Sequence, residues 1–100
     1  MYHSGVNEMD TRIIGRASHC DLVLDHESVS RQHATVQVTP EGFLAVQDGG
    51  SSNGSFLHRN GRWIRIRRVV LGTQDRIRLG EHEVPLDDLG ALFGQRSRVR

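Results

Sequence analysis

The chain has no lysine, and Cys20 is its one cysteine among 100 residues. A lone thiol excludes an intrachain disulfide and cannot build a cysteine zinc site, which fits a reducing compartment. All 13 basic residues are arginine, so every basic site offers a planar fork suited to phosphate or carboxylate. An excess of one charge is also missing: 13 basic against 12 acidic residues leave +1, too little for the whole chain to draw in nucleic acid or anionic lipid. No apolar run approaches the roughly 18 to 20 residues of a membrane helix, and Met1 to Asp10 is too polar for a secretory signal. A cytoplasmic protein is expected. The length allows one domain around one core and is too short for two. No internal repeat or low-complexity linker interrupts it.

What is present is a series of short apolar stretches, separated by turn signals about every ten residues. Candidate strands are Arg12 to Ile14, Asp21 to Leu24, Ala34 to Val38, Phe43 to Gln47, Ser55 to Leu57, Trp63 to Ile66, Val69 to Leu71, Arg76 to Leu79 and Glu83 to Pro85. In Ala34-Thr35-Val36-Gln37-Val38 and Arg76-Ile77-Arg78-Leu79, apolar and polar side chains alternate, so one face packs inward and the other meets water. Two packed sheets follow. Thr39 to Gly42 and Arg59-Asn60-Gly61 carry the residues of tight hairpin turns. Sustained helical spacing is confined to Leu86 to Phe93, which predicts a short C-terminal helix or turn, weakened by Gly90.

Polarity concentrates in three loops. Gly15-Arg16 leaves the first strand, Ser28-Val29-Ser30-Arg31-Gln32-His33 precedes the third, and Ser51-Ser52-Asn53-Gly54 precedes the fifth. Loops at one end of a sandwich carry binding function. Brought to one rim, they would offer the Arg16 and Arg31 guanidiniums, the Ser30 and Ser52 hydroxyls, the Asn53 amide and glycine-exposed N–H groups. These are donors for an oxyanion, and the set contains no carboxylate to repel it.

The ordered set Gly15-Arg16, then Ser30-Arg31-Gln32-His33, then Ser52-Asn53-Gly54 resembles the forkhead-associated (FHA) domain family. The framing is similar too: IIGRASHCDLVLDHESVSRQHATV, VQDGGSSNGSFLHRNG and LGTQDRIRLG together span residues 12 to 80. The resemblance implies an all-β sandwich of ten to eleven short strands that binds phosphothreonine peptides through its loops. By the same resemblance Arg16 and Ser30 contact phosphate, Arg31 contacts phosphate or peptide, Ser52 helps hold the phosphothreonine, and Asn53 bonds the peptide backbone. Gly15, His33 and Gly54 would shape the loops, and Ser28, Val29 and the Arg59 to Arg62 loop would tune peptide choice. The implied layout is an N-terminal segment 1–11, an FHA domain 12–93 and a basic tail 94–100. Because little chain precedes Gly15, the first strand is expected to be missing, displaced or supplied by another chain. A monomer is expected, with pairing through an open sheet edge as the alternative.

Catalytic readings fare worse. His19 and Cys20, as neighbours on a strand, would point to opposite faces. Gly49 to Gly54 lacks the following Lys-Ser/Thr and the helix of a nucleotide loop. The six histidines have no ligand spacing, so no metal or cofactor is expected. Two alternatives stay open: an FHA-like interaction domain without phospho-dependence, and nucleic-acid binding through Arg59, Arg62, Arg65, Arg67 and Arg68.

Overall fold

A computed structural model describes residues 11–94. Nine strands and one helix are present: β1 Thr11–Gly15, β2 Leu22–Val23, β3 Ala34–Val38, β4 Leu44–Asp48, β5 Ser55–Arg59, β6 Arg62–Ile66, β7 Arg68–Val70, β8 Arg76–Leu79, β9 His82–Val84 and α1 Leu86–Ala91. They form a five-stranded sheet ordered β2-β1-β3-β4-β7 and a four-stranded sheet ordered β6-β5-β8-β9. Each strand read from the sequence overlaps one of the nine. The described residues therefore carry nine strands against the ten to eleven implied by resemblance. The expectations about the N-terminal edge and the basic tail fall on residues 1–10 and 95–100, outside the described residues.

The alternation seen in sequence is the packing plan. Ala34 and Val36 of β3 are buried while Thr35 and Gln37 lie half-exposed, and Ile77 and Leu79 of β8 are buried while Arg76 is exposed. Ile14, Val36, Leu44 and Val46 of one sheet meet Leu57, Ile77, Leu79 and Val84 of the other, with Leu71, Leu89 and Phe93 closing the cluster. Each such aliphatic side chain contributes about 1.5–3 kcal/mol on burial. With no disulfide to help, truncating a central member such as Ile77 to alanine costs about 2–5 kcal/mol.

Turn chemistry fixes the register. Asn60 (φ 57°) and Gly61 (φ 77°) both take left-handed backbone, as a two-residue primed turn requires, and Arg59 pairs with Arg62 across it. At the opposite end, Ile14 pairs with Ala34 and Ala34 with Asp48. The end of β1, the start of β3 and the end of β4 therefore coincide. Ser55, at the start of β5, pairs with Leu79 at the end of β8. All three polar loops emerge on this one side.

Candidate functional site

Gly15 is where two of the loops touch. A Cβ at this position would sit 2.2 Å from the Arg31 carbonyl oxygen, so glycine alone admits the approach. That closeness is used: Arg16 N–H donates to Ser30 O (3.0 Å), Ala17 N–H to Arg31 O (3.1 Å) and His33 N–H to Ile14 O (2.8 Å). The Arg16 Nε donates to Val29 O at 3.0 Å, while its terminal nitrogens hold no partner among the described residues. Arg31, on the adjoining loop, is exposed, and among the described residues no acidic side chain pairs with either arginine. The third loop joins through Ser52, whose N–H donates to Ser30 Oγ at 3.1 Å. Ser30 Oγ thus accepts one bond and keeps its own proton for an outside acceptor.

His33 lies beneath the rim and is fully buried. Its Nδ1 accepts the Ser30 N–H (2.9 Å), so that nitrogen carries no proton and Nε2 donates to Gly54 O at 2.8 Å. One neutral ring therefore spans the second and third loops. Gly54 (φ 89°) also receives the Gly80 N–H on the same carbonyl, tying in the β8–β9 turn.

Asp48, which sequence reasoning passed over, organises the third loop. Its Oδ2 accepts Gly50 N–H (2.9 Å) and Ser51 N–H (3.0 Å), and its Oδ1 accepts the Ser51 and Ser55 hydroxyls, both at 2.6 Å. Burial pushes this carboxyl up, but the bonds from Ser51, Ser55 and Gly50 win and hold it down at about 2. The local signal was an aspartate leading into Gly-Gly-Ser, the pattern of a side chain that caps its own turn.

Ser28 and Val29 were expected to tune peptide choice, but their side chains are buried. Val29 is 1% exposed and Ser28 9%, so neither presents a side chain to a ligand. The Ser28 carbonyl accepts Asn53 Nδ2 (2.8 Å), and its Oγ accepts Glu81 N–H (2.8 Å). Asn53 therefore keeps Oδ1 and one N–H outward. Ser28 Oγ also lies 2.8 Å from His26 Nδ1, a serine–histidine contact that holds a turn: the same Nδ1 takes the Ser28 N–H. Cys20 Sγ contacts Arg31 O at 3.2 Å, and burial pushes the thiol up, away from the reactive thiolate. His19 and Cys20 sit in a turn rather than on a strand, and His19 meets Gln32 instead of the thiol.

The arginines between 59 and 68 do not form one stripe. Arg59 is paired with Asp75 through two nitrogens, at the far end of β5 from the rim. Arg65 lies against Gly54, where an added Cβ would stand 2.8 Å from its Nε. Trp63 is packed by His58 edge-on at 5.0 Å and by Arg78 at 4.7 Å. Arg67 is the one residue between β6 and β7, where the chain crosses to the other sheet, and Arg68 opens β7. Among the described residues no helix is long and apolar enough to cross a membrane, and no three His, Cys, Asp or Glu side chains are grouped to hold a metal.

Two sheets presenting an oxyanion-donor rim on three stitched loops define a β-sandwich interaction module. The sequence model of the FHA domain matches residues 12–80, and the chain belongs to the FHA domain family. The chain is 36% identical over 74 residues to an oxoglutarate dehydrogenase inhibitor of Corynebacterium efficiens, covering 74% of this chain and 49% of that protein. It thus spans about half the length of this curated relative. Among solved structures it is similar to Mycobacterium tuberculosis EmbR in complex with a low-affinity phosphopeptide, with TM-score 0.61, 35% identity, and 74% of this chain and 18% of that one covered. It is similar as well to the FHA domain of the CT664 protein from Chlamydia trachomatis, with TM-score 0.61, 31% identity, and coverage of 80% and 74%.

Proposed function

We propose that the rim binds a phosphothreonine peptide, making this chain a phosphothreonine-dependent interaction module in cytoplasmic Ser/Thr kinase signalling or regulated assembly. The observation that carries the reading is the stitched rim, in which Arg16 N–H and Ser52 N–H both bond Ser30 while the terminal nitrogens of Arg16 and the exposed Arg31 side chain hold no partner among the described residues. A phosphothreonine brings about −1.5 to −2 charge and three strong acceptor oxygens, the complement of such donors. Arg16 and Ser30 take the phosphate, Arg31 the phosphate or the adjoining peptide, and Ser52 holds the phosphothreonine. Asn53, with Oδ1 and one N–H outward, bonds the peptide backbone in both senses. Gly15, His33 and Gly54 shape the rim without touching the ligand. The phosphopeptide bound by EmbR supports the same reading at 35% identity.

Isothermal calorimetry with a peptide selected from an oriented phosphothreonine library tests it. Affinity in the micromolar range, about −8 kcal/mol, is expected for the phosphorylated form and none for the unphosphorylated one. Equal affinity for both forms sinks the reading and leaves a phosphate-independent interaction domain.

A further inference from the structure

Beside the rim lies a cleft of about 390 Å³, lined by Gln47, Asp48, Gly50, Arg67 and Arg68. Its floor is fixed. Gln47 pairs with Arg68 across β4 and β7, and the Asp48 N–H donates to Arg67 O at 2.7 Å. Arg59 is answered by Asp75 and Arg76 by Glu83, yet the exposed Arg67 and Arg68 side chains have no hydrogen bond or ion pair among the described residues. The one acid in the wall, Asp48, spends both oxygens on donors of the third loop and of Ser55 at the start of β5. Two neighbouring arginines therefore line an open cleft without a counterion among the described residues, and each carries a fork suited to an oxyanion.

The cleft lies near the rim, because Gly50 in its wall is two residues from Ser52 in the same loop. Two peptide units span at most about 7 Å. An extended ligand rises about 3.3 Å per residue, so a side chain two to four positions from the rim reaches this far.

We infer that Arg67 and Arg68 form an acidic subsite, which takes a second anionic side chain, a carboxylate or a phosphate, of the same peptide that the rim holds. This rests on the phosphothreonine reading of the rim. The cleft is short and holds two arginines, so it selects one flanking residue rather than tracking a polyanion.

The test uses the whole chain and a phosphothreonine peptide whose other positions are alanine wherever the library tolerates it. Glutamate, phosphoserine or alanine is then placed in turn at each of the four positions on either side. At one or two positions glutamate should tighten binding about fivefold and phosphoserine about tenfold. In the double variant Arg67→Gln/Arg68→Gln both gains should vanish while the all-alanine peptide binds within about twofold of wild type. Which of the two substituents gains more identifies the anion as carboxylate or phosphate. Phosphate-dependent binding with no positional gain, or a gain that survives the double variant, overturns the subsite alone. Failure of every phosphothreonine peptide overturns the rim reading and the subsite with it. Circular dichroism of the variant separates these results from misfolding, and the single variants Arg67→Gln and Arg68→Gln carry the test if the double variant does not fold.

Discussion

Replacing Asp48 by asparagine is the sharpest probe of how the third loop is held. The carboxylate accepts four bonds, and no amide can accept them all, because its nitrogen would face either two hydroxyls or two backbone N–H groups. The magnitude follows from the carboxyl being held at about 2 rather than 3.8. At 1.36 kcal/mol per unit, that difference is worth about 2 kcal/mol of folding stability. The side chain is 15% exposed, so solvent screening takes little of this away. Because the folded value lies below the unfolded one, the contribution is complete above roughly pH 4 and is lost as pH falls through about 2. Asp48→Asn should lower stability at neutral pH by about 2 kcal/mol, or the melting temperature by about 10 °C for a domain of this size. Urea unfolding from pH 7 to pH 2 reads both quantities. The wild-type and variant curves should converge toward pH 2, since other carboxylates titrate equally in both. Stability within about 0.5 kcal/mol of wild type at pH 7, or curves that stay parallel down to pH 2, would refute the argument.

Other substitutions separate contact from scaffold. Arg16→Ala should weaken phosphopeptide binding about tenfold or more, by calorimetry, while leaving thermal stability nearly unchanged, because its one internal bond is a surface contact to Val29 O. His33→Ala strands the Ser30 N–H beneath the rim, leaves the Gly54 carbonyl with only the Gly80 N–H and opens a cavity, so a loss of about 3 kcal/mol is expected in chemical denaturation. Gly15→Ala forces apart the loops that meet 2.2 Å from the new methyl, and both stability (about 1–3 kcal/mol) and binding should fall. An Arg16→Ala protein that unfolds while His33→Ala merely binds less tightly reverses the assigned roles.

Much of this protein was legible locally. Period-two alternation in residues 34–38 and 76–79 placed strands and their inward faces, because side-chain direction along a strand depends on nearest neighbours alone. Asn60-Gly61 announced its hairpin because few residues accept left-handed backbone. The order of Gly15-Arg16, Ser30 to His33 and Ser52 to Gly54 was enough to recognise the family and name candidate contacts. Tertiary structure decided the rest. Ser28 is as polar as Ser30 and two positions away, yet it is buried by a turn 53 residues further on, whose Glu81 N–H it accepts. Asp48 became the anchor of the third loop only once β4 and β5 brought Ser55 to the same carboxylate as Ser51. Arg67 and Arg68 read as two members of an arginine run until the crossing from β6 to β7 set them around one cleft with Gln47 and Gly50, while Arg59 paired with Asp75. Composition and spacing record which donors a chain owns. Which of them stay free for a ligand depends on partners that long-range strand pairing delivers, and an unpaired guanidinium looks the same in sequence as a paired one.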